Sequence, residues 1–515
     1  MSALSSFIDT RGAELDAGID CDLCIVGAGA AGITLARSFL GTGVRIALME
    51  AGWLNPRAID QALLDGDALA APYPLREHRV RYFGGTTNHW GGACAPLDPE
   101  DFERKSYIAH TGWPYGFETL RPFYEEAHAL MGLGPFEYDA ASAIRSFGEP
   151  AIEIPPRSAL QHRLQRYRRY RFGLEHAEEL ASAPNIDVYL CADLMALHLA
   201  EGSDRVQQAR FRTEAGNSFH VRAERYVLAA GGIENARLLL LSRHQRPAGL
   251  GNGNDLVGRF FQEHASTNSG FLATDLPLRR EGIYARPQWR DDVGYRVHLA
   301  LSPAAEEENR LPAFRAELIP VAVVGHAARS VRAGNVTAQD IAVLFEQRDA
   351  ITARYACGIK PDRMGLILSN YGQLLPEPAN RVTLSDRRDP FGRQLPALML
   401  RISEADHDGL YRAHRLIARE VARLGIGRMR IELPEITSDP MPGRAWGAHH
   451  MGTTRMAVAP SAGVVDQDAR VHETANLYVA GSSIFPTCGW QNPTLTIVAT
   501  TLKLAEHLKQ RIGAG

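Results

Sequence analysis

Two neighbouring histidines near the end of the sequence are of a type that could do acid-base chemistry. They are His449 and His450 in the stretch GAHHMGTTRM, residues 447–456. A neutral imidazole titrates near physiological pH, so it can take a proton from a substrate hydroxyl. On an extended segment successive side chains point to opposite faces, so at most one of the pair faces a given pocket. The stretch alone leaves a catalytic base and a packed pair as alternatives.

A glycine-rich segment near the start predicts a nucleotide site. Residues 21–52, CDLCIVGAGAAGITLARSFLGTGVRIALMEAG, have the pattern of a strand, a tight turn, a helix and a second strand. Gly27, Gly29 and Gly32 form a G-x-G-x-x-G turn, in which the helix N-terminus attracts a pyrophosphate. Glu50 ends the second strand, where a carboxylate would hold a ribose hydroxyl. These features predict a dinucleotide and leave NAD and FAD open.

Two later segments end in small residues after an apolar strand. Residues 225–242 are RYVLAAGGIENARLLLLS, and residues 475–487 are ANLYVAGSSIFPT. Gly231 and Gly481 stand where each strand ends, so a ligand could approach the backbone there. Without further context, both are also typical of ordinary sheet strands followed by turns.

Composition and charge exclude several classes of function. The 515 residues include 56 basic and 59 acidic residues, a net charge of −3, which does not favour nucleic acid as a partner. Six scattered cysteines do not form a disulfide pattern and fit a reducing compartment, so we expect a cytoplasmic protein. The first 20 residues do not resemble a secretion signal, and no apolar run is long enough to cross a membrane.

Two local patterns favour structural roles. The pair Cys21 and Cys24 lacks a second C-x-x-C, and no H-E-x-x-H occurs, so we expect strand packing and no metal site. The arginine-rich run in HRLQRYRRYRFG, residues 162–173, is interpreted as the solvated face of a helix rather than as a site for an anionic partner.

Taken together, seven segments resemble the glucose-methanol-choline (GMC) oxidoreductases, a family of FAD enzymes. They are GAGAAG with MEAG, GGTTNHWGG (84–92), VLAAGGIENARLLL, NDLVGRFFQEH (254–264), LPEPANRVTL (375–384), HHMGTTRM and LYVAGSSIFPTCGWQNPTLTI (477–497). The branch that the sequence resembles most contains pyranose oxidase and the bacterial sugar dehydrogenases, on the basis of the motifs TNHW, HHMGT and NPTLTI. The match extends over most of the chain, except about 265–370.

The resemblance implies an α/β fold. A Rossmann-like FAD-binding domain would be assembled from residues 18–140, 190–264 and 441–515, with an α+β substrate domain at 265–440 and a connecting segment at 141–189. The sequence itself predicts a helix that starts at Ser403 with Asp406 and stops at Gly425. It also predicts paired strands in RVTLSD and PALMLR with the turn RRDPFGR between them.

The resemblance also implies roles for individual residues. His449 would be the base beside the flavin, Asn492 its partner, and His450 a packing residue. His89 follows Asn88, where relatives that attach flavin covalently have Thr or Ser, so covalent and non-covalent binding both stay open. Gln373 would be a weak substrate contact. The implied cofactor-binding residues are Gly27, Gly29, Gly32, Glu50, Gly85, Asn88, His89, Trp90, Gly231, Gly481 and Asn492.

The function expected from the resemblance is FAD-dependent oxidation of a secondary alcohol on a sugar or glycoside to a ketone. His449 would take the hydroxyl proton, and the flavin the hydride. Oxygen or a quinone-like compound would be the electron acceptor. The main alternative is a lyase on the same fold that resembles the hydroxynitrile lyases and has no net redox change. A flavin-bound subunit that only transfers electrons or binds a partner is a third class. The sequence does not predict the oligomeric state.

Overall fold

The computed structural model of the protein describes residues 7–512, except 16, 275, 280, 323–325, 328–329, 332–333, 335, 347, 349–363, 432 and 434–444. The helices in this part of the chain are α1 (Ala30–Arg37), α2 (Ala58–Ala62), α3 (Phe117–Met131), α4 (Ala140–Ser146), α5 (Phe172–Ser182), α6 (Gly232–Leu241), α7 (Pro303–Glu308), α8 (Ala338–Glu346), α9 (Glu404–Arg423) and α10 (Thr494–Ile512). Short 3-10 helices span Gly85–Asn88, Pro99–Asp101 and Ser482–Ile484.

The described strands form three sheets. They are β1 (Phe7–Asp9), β2 (Ile19–Val26), β3 (Ile46–Glu50), β4 (Asp67–Ala68), β5 (Ala93–Cys94), β6 (Leu160–Tyr167), β7 (Ile186–Leu190), β8 (Asp193–Leu199), β9 (Val206–Arg212), β10 (Ser218–Leu228), β11 (His264–Ala273), β12 (Gln288–Arg290), β13 (Val293–Leu301), β14 (Phe314–Ala322), β15 (Met364–Gln373), β16 (Arg381–Arg388), β17 (Gln394–Met399), β18 (Arg428–Ile431), β19 (Ala445–Trp446) and β20 (Leu477–Val479).

The first sheet has the order β1-β7-β3-β2-β10-β9-β8, with β20 paired to β10. From β1 to β10 and on to β20 the pairs are parallel. Helix α1 packs on β2 and β3, α5 on β7 and α6 on β8. The buried strands have nearly continuous apolar sequences, as is typical of buried parallel strands. This sheet is the Rossmann-like unit that the glycine-rich segment predicted.

The cysteine pair lies on a strand of this sheet, as predicted. Cys21 and Cys24 are both buried on β2. They are three residues apart on a strand, so their side chains point to opposite faces and cannot share one metal ion.

The second sheet is antiparallel and has the order β18-β11-β15-β14-β13-β6-β5. In addition, β12 pairs with β13, and β19 pairs with β11. One face is apolar: Val297, Leu299, Ala316 and Leu318 pack in one cluster with Ile417 of α9. Residues opposite one another on neighbouring strands share a face. The pairs on the other face are polar: Arg296 with Gln165, Arg315 with Tyr371, Glu317 with Ser369, Tyr371 with Ser266 and Gln373 with His264.

The local predictions for residues 381–425 are confirmed. Ser403 and Asp406 form a capping box at the start of α9, and the helix ends before Gly425. Strands β16 and β17 pair antiparallel, and β4 adds a third, parallel strand beside β17.

The interpretation of the arginine-rich run as a helix face is wrong. Residues 160–167 form β6, which pairs with β5 and β13. Arg166 is buried and donates to the carbonyls of Leu133 and Glu137, and Arg163 forms an ion pair with Asp98 at 2.7 Å. These arginines serve the chain's own carbonyls and carboxylates, so strand pairing prevails over the charge pattern.

The proposed domain limits stay a prediction. Most strands of the first sheet lie in the ranges expected for the FAD-binding domain, and those of the second sheet lie mainly within 265–440. The connecting segment 141–189 contributes β6 to the second sheet and most of β7 to the first. None of the described helices combines the length and apolarity that crossing a membrane requires.

Candidate active site

A cavity of about 560 Å³ opens between the glycine-rich turn and the histidine pair. Three of the predicted glycines, Gly29, Gly231 and Gly481, border it, and a Cβ added to any of them would meet only open space. Gly29 and Gly231 also precede the first turns of α1 and α6. Helix N-termini present unpaired N–H groups and favour anions. The wall therefore has the space and the donors that a pyrophosphate needs.

The other two glycines of the turn hold the backbone together. Gly27, with φ +104°, borders the cavity and lies against the backbone of Ala229. A Cβ on Gly32 would lie 1.8 Å from the carbonyl oxygen of Gly27. Gly32 thus allows the helix to pack on the strand, which is the role that its place in the motif predicts.

Glu50 lies at the end of β3, beside the turn, and borders the cavity. Its two carboxylate oxygens accept hydrogen bonds from the N–H groups of Ala28 (2.9 Å) and Gly52 (2.8 Å). Burial raises the pKa of Glu50, while these two bonds lower it. Each oxygen has a second lone pair, so the carboxylate can still accept from a ligand hydroxyl.

The segment GGTTNHWGG supplies another wall. Gly85, His89 and Trp90 border the cavity. His89 Nε2 lies 2.7 Å from the hydroxyl of Tyr82, and Trp90 donates its indole N–H to the carbonyl of Tyr170. Asn88 donates instead to the carbonyl of Phe83 and does not border the cavity.

The proposed catalytic pair meets at the far end of the cavity. Asn492 Nδ2 lies 3.1 Å from His449 Nε2, although 43 residues separate the two in sequence. Burial, followed by the nearby His264, His450, Arg315 and His78, lowers the pKa of His449 well below the ordinary 6.5. The imidazole is therefore neutral at physiological pH and can accept a proton.

The orientation of the Asn492 amide follows from its second partner. Asn492 Oδ1 accepts from Gln165 Nε2 at 2.7 Å. Gln165 Oε1 in turn accepts from the hydroxyl of Tyr167 at 2.7 Å and lies 3.1 Å from His298 Nε2. With the oxygen of Asn492 engaged, its NH₂ group faces His449 as a donor.

The rings of His450 and His449 have different partners. The buried ring of His450 packs near Tyr73 and Phe261, and its backbone carbonyl accepts from the hydroxyl of Ser482. Both histidines nevertheless border the cavity, so alternation alone does not separate them, and Nε2 of His450 has no hydrogen-bond partner. Gln373, in contrast, lies buried at the end of β15 opposite His264 and does not border the cavity.

A buried carboxylate supports the histidine segment. Glu263 Oε1 accepts the backbone N–H groups of His449 and His264, each at 2.8 Å, and Oε2 accepts the hydroxyl of Tyr73. Burial raises the pKa of Glu263 to about 7. Glu263, His78 and His450 are the one group in the described chain with spacing near that of metal ligands. Three donors of the protein already account for the burial of the Glu263 carboxylate, so no metal is needed to explain it, and we assign none there.

Sequence reasoning missed four residues of this site. They are Gln165, Glu263, His264 and Tyr371, the last with its hydroxyl 2.8 Å from His449 Nδ1. Glu263 and His264 end the segment NDLVGRFFQEH, which supported the family resemblance but suggested no role for either residue.

Comparison with known proteins tests the resemblance. Residues 376–501 match the family model for GMC oxidoreductases. The chain carries a GMC oxidoreductase domain. The prediction of an oxidoreductase of this family is thereby confirmed, and so is the predicted α/β fold. Pyridoxine 4-oxidase from Mesorbium loti aligns over 95% of this chain and 99% of that chain, with a TM-score of 0.57 and 18% identity.

Curated relatives of this chain include enzymes named for the oxidation of sugars. The fructose dehydrogenase large subunit of Gluconobacter japonicus is 24% identical over 96% of this chain and 99% of its own. Paromamine 6'-oxidase of Streptomyces fradiae is 26% identical over 94% and 90%. Pyranose 2-oxidase of Lyophyllum shimeji is 26% identical over 58% of this chain and 45% of its own. These relatives confirm the predicted branch.

Alanine at two glycines of the turn should have unequal effects on stability. Gly32→Ala should lower the free energy of unfolding by about 1–3 kcal/mol or more, because its Cβ clashes with the Gly27 carbonyl. Gly29→Ala should change it by no more than about 0.5 kcal/mol, since the new methyl group enters open space. Urea unfolding without added ligand measures both. Equal losses would contradict the assigned packing.

Proposed function

We propose that this GMC oxidoreductase binds FAD in the cavity and oxidises a secondary alcohol of a sugar or glycoside to a ketone. The observation that carries the proposal is the pair of His449 Nε2 and Asn492 Nδ2, 3.1 Å apart at the end of a cavity shaped for a dinucleotide. When bound, FAD supplies the electron sink that accepts a hydride from the substrate carbon. The protein's own residues supply the remaining steps.

FAD fits the residues that border the cavity. The open space at Gly29 and Gly231, each at a helix N-terminus, suits the pyrophosphate. Glu50 would hold the ribose hydroxyls with its remaining lone pairs. His89 and Trp90 would flank the flavin ring, close to the end where His449 and Asn492 meet.

The catalytic pair activates a hydroxyl without a charged group. A substrate hydroxyl beside both atoms donates its hydrogen to His449 Nε2 and accepts the N–H of Asn492 Nδ2. As the proton moves to the imidazole, negative charge grows on the substrate oxygen, and the amide N–H stabilises it. Gln165 holds the amide oxygen, so the NH₂ group of Asn492 already lies on the side of His449 before a substrate binds.

The polarity around the pair and the relatives both support this class of substrate. Gln165, His298, Arg315 and Tyr371 lie on the polar face of the second sheet, outside the set of residues that border the cavity, and their network contacts both Asn492 and His449. A site whose reacting end is held by such fixed donors and acceptors suits a hydroxyl-rich molecule. Fructose dehydrogenase, paromamine 6'-oxidase and pyranose 2-oxidase, named for oxidation of sugars and an aminoglycoside, support the same class of substrate.

The proposal also includes an electron acceptor and a location in the cell. Oxygen or a quinone-like compound would reoxidise the reduced cofactor. The five described cysteines are free and buried, which accords with a reducing compartment such as the cytoplasm.

A panel of sugars and glycosides tests the reaction. With FAD bound, anaerobic addition of a substrate sugar should bleach the flavin absorbance, and mixing with oxygen or a quinone should restore it. Cleavage of a substrate while the flavin stays yellow would indicate the lyase instead. The absence of both bleaching and cleavage with every alcohol in the panel would indicate a binding or electron-transfer subunit.

Replacing His449 and His450 one at a time distinguishes the proposed base from the packing residue. His449→Ala should retain FAD but slow flavin reduction by about two orders of magnitude or more, the scale expected for loss of a general base. His450→Ala, the matched control on the adjacent position, should slow it far less because its ring faces Tyr73 and Phe261. Anaerobic stopped-flow absorbance measures both. A reversed order would remove His449 from the proposed role.

Replacement of Glu50 tests the cofactor site. Glu50→Gln keeps the size of the side chain but provides one acceptor oxygen where the carboxylate has two. We therefore expect faster loss of FAD on dilution, with a nearly unchanged reduction rate in the molecules that retain it. Full retention of FAD would show that Glu50 only ties the turn to Ala28 and Gly52.

The imidazole of His89 is compatible with either covalent or non-covalent binding of the flavin. Its hydrogen bond with Tyr82 fixes the ring at the cavity wall. Such a ring can be bonded covalently to the flavin or can pack beside a dissociable one. Acid precipitation separates the two, since a tethered flavin remains in the protein pellet and a dissociable one stays in the supernatant.

A further inference from the structure

We propose that His264 is a positioning residue, which holds His449 in the tautomer with hydrogen on Nδ1 and the lone pair on Nε2. The two Nδ1 atoms lie 2.8 Å apart, and His264 is completely buried between His449 and the carbonyl of Gly489. The inference rests on the proposed role of His449 as base. It adds the reason why Nε2, rather than Nδ1, is the basic atom.

The contacts that fix the tautomer start at the carbonyl oxygen of Gly489, which can only accept a hydrogen bond. His264 Nε2 lies 2.8 Å from the carbonyl oxygen of Gly489, so this nitrogen must carry the hydrogen. Burial lowers the pKa of His264 to about 4, and the ring is neutral at physiological pH. In a neutral ring with hydrogen on Nε2, Nδ1 holds a lone pair.

That lone pair decides the state of His449. A distance of 2.8 Å between two nitrogens requires one hydrogen between them, and His264 Nδ1 has none to give. His449 Nδ1 must therefore donate. Since His449 is also neutral, its Nε2 is the unprotonated atom, and it faces the donor Nδ2 of Asn492. The orientation of Asn492, fixed independently by Gln165, agrees with this assignment.

The hydroxyl of Tyr371 offers the competing arrangement. It lies 2.8 Å from His449 Nδ1, and by donating there it would place the hydrogen of His449 on Nε2. Two lone pairs would then face each other between the histidines. If the hydrogen of His264 moved to Nδ1, the lone pair of His264 Nε2 would instead face the carbonyl oxygen of Gly489 and repel it. The arrangement without a repulsive contact has Tyr371 accepting a share of the His449 Nδ1 hydrogen.

The fixed tautomer has a direct consequence for proton transfer. The opposite tautomer would present an N–H to the substrate hydroxyl and could not take its proton. In the assigned tautomer, Nε2 accepts the proton, and the resulting imidazolium keeps its Nδ1 hydrogen bonded to His264. Holding the second nitrogen of a functional imidazole in this way orients the ring and fixes its tautomer.

Nitrogen NMR of the holoenzyme labelled with ¹⁵N-histidine tests the assignment directly. In the parent protein, the His449 resonances, identified by their loss in His449→Ala, should show a protonated Nδ1 and an unprotonated Nε2. His264→Phe removes the acceptor and should yield a mixture of tautomers or the opposite one. Tyr371→Phe should leave the tautomer as in the parent. His414→Phe is a matched control, since His414 is an equally buried and hydrogen-bonded histidine in α9.

Kinetics provide a second readout in the same variants. His264→Phe should slow flavin reduction by roughly 10–100-fold, the usual loss for a partner that orients a functional imidazole. His264→Asn, whose amide oxygen can occupy the place of Nδ1, should recover part of that loss. In His264→Phe, the maximal rate of flavin reduction at saturating substrate should change more than the half-saturating substrate concentration does.

Two outcomes would overturn the inference. One is a parent protein whose His449 carries hydrogen on Nε2, a result that does not depend on any variant folding. The other is a tautomer that changes in Tyr371→Phe and not in His264→Phe. Neither measurement requires turnover, so the assignment can fail while sugar oxidation stands, and it can hold if no sugar bleaches the flavin.

Discussion

The buried carboxylate of Glu263 is the contact on which the geometry of the site depends. It joins the start of β11, the extended segment around His449 and the loop that carries Tyr73. Glu263 has no exposed surface, and an unpaired charge there would be very unfavourable. Two backbone N–H groups and a phenol hydroxyl offset part of the lost hydration of the ionised form, although burial still raises the pKa of Glu263 to about 7. The positions of three separate segments are thus fixed by a single side chain.

This arrangement anchors His449, the proposed base, through its backbone and leaves its ring without a charged partner. A carboxylate against the imidazole of His449 would favour the imidazolium and raise its pKa. Glu263 instead accepts the backbone N–H of His449, while neutral groups contact the ring: His264, Tyr371 and Asn492. Burial and the neighbouring basic groups then lower the pKa of His449. A residue can be held firmly and still remain an uncharged acceptor.

How far the sequence predicted this structure depends on the distance between the interacting residues. The turn at Gly27, Gly29 and Gly32 and the capping box at Ser403 and Asp406 are local, so their spacing in the sequence carries the geometry. The contacts around the base are not local: 185 residues separate His264 from His449, and 327 separate Gln165 from Asn492. No periodicity brings such residues together. The family resemblance suggested the pair of His449 and Asn492, but not the residues that orient it.

The arginine-rich run shows the opposite error, in which a local pattern was given too much weight. Charge density suggested a solvated helix, yet Leu160 and Leu164 of the same segment belong to the core beneath the second sheet. Strand pairing with β5 and β13 places Arg163 beside Asp98 and Arg166 beside two carbonyl groups. Charge in a sequence does not reveal whether its partner is water or another part of the chain.

The polar network also links the second sheet to the proposed catalytic pair. Asn492 contacts Gln165, Gln165 contacts His298, and Arg315 lies 3.3 Å from His298 Nδ1. The guanidinium of Arg315 stacks 4.4 Å from the ring centre of Tyr371, whose hydroxyl returns to His449. Because these contacts form a closed circuit, a change of side chain on the sheet also alters the support of the base or its amide partner. The supports of His449 and of Asn492 therefore belong to one set of hydrogen bonds, and neither residue is positioned independently of the polar face of the second sheet.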